Sequence, residues 1–164
     1  MRDALTANSL KKSNNMENLK SHTGKFYEVT AKMAETQEDG ATKDVKRTIA
    51  VEAESFGDAE SKALEEFVGT DVDVTNINVA KYKEVFLSDN VNDENFYKAK
   101  LSFIVLDEKT EKEKRSNVVY LVQAKTLNTA LKYIDDVMSR TMMDYESVGV
   151  VGTGIEEFYL REQS

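Results

Sequence analysis

The chain carries one order of predicted elements twice, with equivalent positions seventy residues apart. Phe26 and Tyr27 open an alternating apolar stretch that returns at Phe96 and Tyr97, and similar segments follow each. A solenoid needs three or more repeats to bury a continuous core. Two copies therefore indicate a duplicated supersecondary unit within one small domain.

Each copy begins with a predicted β-hairpin. Apolar and polar side chains alternate with period two, which is typical of a strand with one buried face. Polar turns at residues 38–40 and 107–114 separate the strands of each pair. The four predicted strands are residues 27–33, 45–53, 97–105 and 116–124.

A predicted helix follows each hairpin. Ser55 and Thr126 stand where a side-chain oxygen caps the free N–H groups of a first helical turn. Gly69 is a candidate stop for the first helix. The apolar stripes are Phe56, Ala59, Ala63, Leu64 and Phe67, then Leu127, Ala130, Leu131, Ile134, Val137 and Met138.

A long third strand closes each copy, at residues 72–86 and 145–160. The predicted fold is therefore α+β: two strand-strand-helix-strand units related by a pseudo-twofold axis, with two helices on a mostly antiparallel sheet. The chain has no proline to guard the sheet edges, and exposed edges invite pairing between subunits. The predicted core is Tyr27, Val29, Ile49, Val51, Leu64, Phe67, Leu101, Phe103, Tyr120, Val122, Ile134 and Val137.

The domain organisation follows from a change in composition near residue 25. Residues 1–24 are polar without a sustained apolar period, so we expect a flexible extension with a short helical piece near its start. Met16 is an alternative natural start. Residues 25–164 form the predicted single domain. Its two copies are repeat one, 25–90, and repeat two, 95–162.

The charge distribution bears on partners. The formal net charge is −8, and because residues 1–22 hold four basic and two acidic residues, the remainder carries the larger negative charge. Such a body repels nucleic acid at long range unless its cations are gathered on one face. The chain has no cysteine and no apolar run of membrane-spanning length. We expect a cytoplasmic protein.

The sequence offers few catalytic or metal-binding groups, so we expect no enzyme, no cofactor and no metal site. His22 is the only histidine and falls in the polar extension. The glycine-rich residues 148–154 lack the lysine and helix of a phosphate loop and favour a bent or bulged strand. Asp71 and Asp73 lack the partners of a calcium loop. The carboxylate pairs 65–66, 135–136 and 156–157 fit solvated faces.

Basic residues of the two hairpins form the one candidate contact for nucleic acid or another anion. Tyr27, Phe96 and Tyr97 would supply stacking surfaces for bases. Acidic residues alternate with the lysines of the second hairpin, and this favours a solvated turn. The candidate contact residues are Lys43, Lys46, Arg47, Lys98, Lys100, Lys112, Lys114 and Arg115.

Three stretches resemble an uncharacterised family of small proteins from gut Bacteroidales and their phages. They are residues 82–89, residues 96–124 and residues 140–146, and the similarity covers about residues 25–160. The resemblance implies an α+β domain and a phage or mobile-element setting. It implies no activity, cofactor or site residue.

The leading functional hypothesis is a non-enzymatic, phage-associated interaction protein. It would act by binding a protein partner or by self-assembly into a homo-oligomer, in an accessory or anti-host-defence role. The first alternative is a nucleic-acid-binding replication accessory that uses the basic hairpins. The second is a small-molecule or nucleotide-binding protein with a pocket between the two repeats.

Overall fold

The computed structural model describes residues 19–161, which form two helices and nine strands and so confirm the predicted α+β class. The predicted helical piece near the N-terminus and the alternative start at Met16 lie outside the described residues. The helices are α1 (Phe56–Glu66) and α2 (Leu127–Met138). The strands are β1 (Leu19–His22), β2 (Phe26–Thr36), β3 (Thr42–Glu52), β4 (Thr70–Ala80), β5 (Glu84–Ser88), β6 (Asn95–Leu106), β7 (Glu113–Ala124), β8 (Asp144–Gly152) and β9 (Ile155–Tyr159).

The described residues divide into two compact units, each with its own sheet and one helix. The first unit comprises residues 24–81 and 154–161. The second unit comprises residues 19–23 and 82–153. Each unit therefore contains a segment from the other half of the chain. The predicted pseudo-twofold axis stays a prediction.

The first unit has a four-stranded sheet in the order β4-β2-β3-β9. Strands β2 and β3 form the predicted hairpin, closed by a turn in which Gly40 has a φ of 85° and its N–H donates to the Gln37 carbonyl at 3.0 Å. A non-glycine residue is uncommon at such a φ. Strand β4 runs antiparallel to β2, whereas β9 runs parallel to β3.

The second unit has a five-stranded sheet in the order β1-β5-β7-β6-β8. Strands β6 and β7 form the second predicted hairpin, and β8 runs antiparallel to β6. Strand β5 runs parallel to β7 and antiparallel to β1. The order β8-β6-β7-β5 matches the order β4-β2-β3-β9 of the first unit, and β1 is additional.

The prediction of one long third strand in each copy is wrong, because each of these segments divides into two strands that pair in different sheets. The first divides at residues 81–83, so β4 pairs in the first unit and β5 in the second. The second divides at residues 153–154, so β8 pairs in the second unit and β9 in the first. The boundaries of the contiguous repeats 25–90 and 95–162 are therefore not those of the compact units.

Both predicted helix caps are confirmed. The Ser55 hydroxyl accepts a hydrogen bond from the Asp58 N–H at 3.1 Å, and the Thr126 hydroxyl accepts one from the Thr129 N–H at 3.2 Å. Each bond satisfies a backbone donor that has no partner within its own helix. Helix α1 ends at Glu66, three residues before Gly69, which instead lies close to the Met33 side chain.

Most of the predicted core is buried, with the helices as the main exception. The structure buries Tyr27, Val29, Ile49, Val51, Leu101, Phe103, Tyr120, Val122 and Ile134. Phe67 and Val137 are only partly buried, and Leu64 is 44% exposed. Helix α1 meets its sheet through the small side chains of Ala59 and Ala63, whereas α2 buries Ala130, Ile134 and Met138.

The last residues of the predicted N-terminal extension are ordered as β1. Leu19 lies opposite Ser88 and His22 opposite Val85, so the extension contributes an edge strand to the second unit. Leu19 also packs against the core under α2. The apolar alternation of β1 is too short to be recognised within a polar segment.

Candidate functional site

Arg47, one of the predicted anion contacts, is already bound to two carboxylates. Its Nε and Nη2 donate to Glu35 at 2.5 and 2.7 Å, and its Nη1 donates to Glu156 at 2.9 Å. These bonds, with Glu35 the largest cause, raise the pKa of Arg47, and the same hydrogen bond lowers the pKa of Glu35. A guanidinium held in this way ties β9 to β3 and has little capacity for another anion.

Arg115 is engaged in the same manner in the second unit. Its Nη1 donates to Glu146 of β8 at 2.7 Å, and this hydrogen bond raises the pKa of Arg115 and lowers that of Glu146. Lys114 lies 3.9 Å from a carboxylate oxygen of Asp107. Acidic neighbours thus neutralise the cations at the base of the second hairpin.

The other predicted contacts are lysines distributed over both units. Lys43 and Lys46 are exposed in the first unit, and Lys100 and Lys112 in the second. The Lys98 ammonium lies 5.8 Å from the centre of the Tyr82 ring.

The predicted stacking surfaces are wrong for two of the three rings. Phe96 is 2% exposed and Tyr27 is 6% exposed, and Tyr97 packs partly against the core of the second unit. A base needs an exposed ring face to stack upon. Phe96 and Tyr27 offer no such face.

The other sequence motifs have structural roles. His22 lies in β1 rather than in a loose tail. The glycine-rich stretch forms the predicted bulge, because Leu101 pairs with Ser147 and Lys100 with Gly149, leaving Val148 as the extra residue. No three His, Asp or Glu side chains in residues 19–161 are grouped so that they could hold a metal ion.

The outer edges of the sheets are the remaining candidate site. Strands β4 and β8 lie at one edge of their sheets, and both carry a bulge at the equivalent position, Thr75 in β4 and Val148 in β8. A bulge interrupts the regular ladder and twists an edge away from further pairing. The opposite edges belong to β9 in the first unit and β1 in the second.

Strand β1 occupies the edge of β5 through backbone pairing and side-chain contacts. The Ser21 hydroxyl donates to Glu84 at 2.5 Å, and the Lys20 ammonium lies 3.7 Å from Asp89. An apolar pocket of about 170 Å³ lies between β1, β5 and α2. It is lined by Leu19, Ser21, Phe86, Asp136, Val137 and Arg140.

Strand β9 is the outermost strand of the first unit on its side, among the residues that the structure describes. Phe158 packs on Phe26 with ring centres 5.5 Å apart. Lys62 of α1 donates to the Leu160 carbonyl, and the Arg161 N–H donates to Glu52 at 2.9 Å. These contacts fasten the inner side and the end of β9.

A polar pocket of about 220 Å³ lies beside this end of the first unit. Acidic side chains dominate its lining, and Lys62 and Arg161 are the basic members. Among residues 19–161, no strand corresponding to β1 lies at this position. The lining residues are Glu52, Asp58, Ser61, Lys62, Glu65, Glu66 and Arg161.

Comparison with known proteins places the chain in a family. Neither the curated proteins nor the solved structures include a match. No helix among the described residues has the length and apolar character needed to cross a bilayer. A family model does match residues 25–161, a span that contains β2 to β9 and leaves β1 outside. The chain belongs to the family described as Domain of unknown function (DUF4494).

Proposed function

We propose that this protein is a non-enzymatic interaction protein that accepts extended polypeptide segments at the outer edges of its sheets. The observation that carries the proposal is β1. This segment lies outside the family-matched residues 25–161, yet it pairs antiparallel with β5 of the matched domain. The chain thus contains one example of strand addition to its own domain.

Strand addition suits such a surface for physical reasons. An edge strand presents unpaired N–H and C=O groups, and an added strand satisfies them while its alternate side chains enter neighbouring pockets. At β5 the added strand places Leu19 and Ser21 along the pocket formed with α2. Backbone pairing supplies affinity and the pocket supplies selectivity.

We place this activity in a phage-associated, cytoplasmic setting, as an accessory or anti-host-defence protein. The resemblance to small proteins of gut Bacteroidales and their phages supports the setting. A protein that acts by covering or completing a host protein needs no catalytic group. Its partner would contribute an extended segment rather than a folded face.

The test is selection from a library of displayed peptides with the full-length chain as bait. Backbone hydrogen exchange of the protein with each selected peptide then locates the contact. We expect slower exchange along an outer strand and little change on the exposed faces of α1 and α2. Selection of no peptide, or protection confined to the helices, would refute strand addition.

A further inference from the structure

We infer that the outer edge of β9 in the first unit is a second strand-addition site, and that its occupant is a basic, extended segment of a partner protein. The inference rests on the proposed function and names the place and the chemistry of binding. It starts from the difference between the two sheets: β5 has β1 beside it, whereas β9 is outermost among the described residues.

The edges of β5 and β9 correspond from Val85 and Phe158 onward. Before Phe158 the pairing of β9 with β3 is irregular, since Glu156 and Glu157 stand opposite a single residue of β3. Each strand runs parallel to the second strand of its hairpin. The Ser88 N–H at the end of β5 donates to the Gln123 side chain at 2.9 Å, and the Arg161 N–H after β9 donates to the Glu52 side chain, also at 2.9 Å. A geometry that admits a strand beside β5 therefore recurs beside β9.

This equivalence predicts the register of the occupant. Strand β1 pairs antiparallel with residues 85–88. The corresponding residues of the first unit are 158–161. Val85 and Phe86 are buried in the unit that contains β1, whereas their counterparts Phe158 and Tyr159 are only partly buried. An added strand would cover these two side chains.

The contacts of β1 indicate what the occupant carries. Ser21 and Lys20 both contact acidic residues, Glu84 and Asp89. Glu84 corresponds to Glu157, which is exposed on β9. The occupant therefore places a hydrogen-bond donor or a cation opposite Glu157.

The neighbouring polar pocket strengthens the preference for a basic segment. Asp58, Glu65 and Glu66 line this pocket of about 220 Å³. Its two cations are already engaged, since Lys62 donates to the Leu160 carbonyl and Arg161 to Glu54. Because four carboxylates and only these two cations line the pocket, a lysine or arginine of the occupant would meet net negative charge there.

A second copy of the chain suits this edge less well. The net charge of each chain is −8, so two copies repel each other at low ionic strength. The segment of this chain that is shown to add to such an edge, β1, is already paired with β5. The negative charge that repels a second copy of the chain attracts a basic partner.

The experiment uses labelled full-length protein and a synthetic peptide that copies residues 18–24, because β1 fits the equivalent edge. The peptide is titrated to millimolar concentration while backbone amide NMR shifts are followed. We expect shifts and slowed exchange at residues 158–161. A peptide with the Ser21→Lys change should bind more tightly. Two further peptides are N-methylated at the odd-numbered or at the even-numbered residues, and one of these two should bind weakly.

Matched charge reversals test the site. Glu157→Lys should weaken binding about fivefold, whereas Glu108→Lys, the same change on an exposed turn of the second unit, should leave it unchanged. Absence of shifts at residues 158–161 at millimolar peptide would overturn the inference. Shifts confined to β4 or β8 would also overturn it, while leaving strand addition itself intact. Sedimentation showing dimers that pair through β9 would replace the basic partner with a second copy.

Discussion

At the scale of single residues, a buried carboxylate fixes the loop between β5 and β6. Asp93 is 3% exposed and accepts hydrogen bonds from the Ser88 hydroxyl at 2.5 Å and from the Tyr133 hydroxyl at 2.7 Å. Its own N–H donates to the Asn90 carbonyl at 3.0 Å. A buried polar group is tolerated only when it is hydrogen-bonded, as this one is. The network ties the loop to α2.

Replacing Asp93 with alanine should therefore be costly. The change leaves two partly buried hydroxyl groups without this acceptor, and we expect the free energy of unfolding to fall by about 1–3 kcal/mol. Urea denaturation measures this loss. Asp89→Ala, which removes an exposed carboxylate 3.7 Å from Lys20, should change stability by less than about 1 kcal/mol. Equal losses for the two variants would contradict the assigned role.

The same network predicts a pH dependence. The pKa of Tyr133 is raised to about 12, chiefly by burial and next by the hydrogen bond to Asp93. A raised folded-state pKa means that the contribution to stability is fully present below the ordinary tyrosine pKa of 10.0. It is lost as the pH rises towards about 12.

Stability should thus decline with pH in this alkaline window, and less steeply in Tyr133→Phe. The measurement is urea denaturation of both proteins at a series of pH values. Burial also raises the pKa of Tyr120 and Tyr159, so a residual slope is expected in the variant. Parallel curves for the two proteins would show that Tyr133 is not the group responsible.

Sequence reasoning at this scale succeeded where the cause is local. The caps at Ser55 and Thr126 depend only on the residues of one helical turn, and the structure contains both. The sequence did not predict a role for Asp93, since the sequence of a polar loop is the same whether its carboxylate is buried or solvated. Its burial depends on Tyr133, which lies forty residues further along the chain.

At the scale of elements, each helix places buried alanines against its sheet, and α2 adds the larger side chains of Ile134 and Met138. Ala59, Ala63 and Ala130 are fully buried, whereas Leu64 of α1 and Leu131 of α2 are partly exposed at 44% and 39%. Helical periodicity predicted a broad apolar stripe, but it does not show which part of the stripe faces the sheet. On α1 the small side chains permit close approach and leave Leu64 at the margin, whereas on α2 Ile134 and Met138 are buried beside Ala130.

Enlarging these alanines should destabilise the fold. We expect Ala59→Leu and Ala130→Leu each to lower the free energy of unfolding by about 1–3 kcal/mol, because the added atoms have no space. The control Leu64→Ala should cost less than about 1 kcal/mol, since that residue is 44% exposed. Thermal or urea denaturation of the three variants tests the prediction. A larger loss of stability in Leu64→Ala than in Ala59→Leu or Ala130→Leu would contradict this account and indicate that Leu64 belongs to the core.

The division of the third strands was the main element missed by sequence reasoning. Residues 81–83 contain neither glycine nor proline, so the apolar alternation continues through the break. Gly152 and Gly154 flank the second break and offered a local signal. The partner of a parallel strand is set by distant residues, and period-two patterning carries no information about it.

The candidate site was predicted even less completely. Composition located the cations, but the structure pairs Arg47 and Arg115 with carboxylates on neighbouring strands. Which charges pair is determined by strand order, which the repeat pattern alone did not supply. The open edge of β9 became visible only by comparison with the edge that β1 covers.

At the scale of the whole molecule, each sheet depends on a strand from the other half of the chain. Strand β9 follows β8 of the second unit but completes the first, and β5 follows β4 of the first unit but completes the second. Each of these two strands packs an aromatic side chain within the unit that it completes. Phe158 of β9 contacts Phe26, and Phe86 of β5 contacts Tyr120. This exchange defines the edges on which the proposed function depends.

The most direct test of this strand arrangement is residue-resolved hydrogen exchange of the variants Phe158→Ala and Phe86→Ala. Removing the Phe158 ring should speed exchange in β2, β3 and α1 of the first unit, although the preceding strand, β8, belongs to the second. Removing the Phe86 ring should speed exchange in β6, β7 and α2. The account is contradicted if each change instead loosens the unit that precedes it in sequence, so that Phe158→Ala affects β6 to β8 and spares β2 and β3.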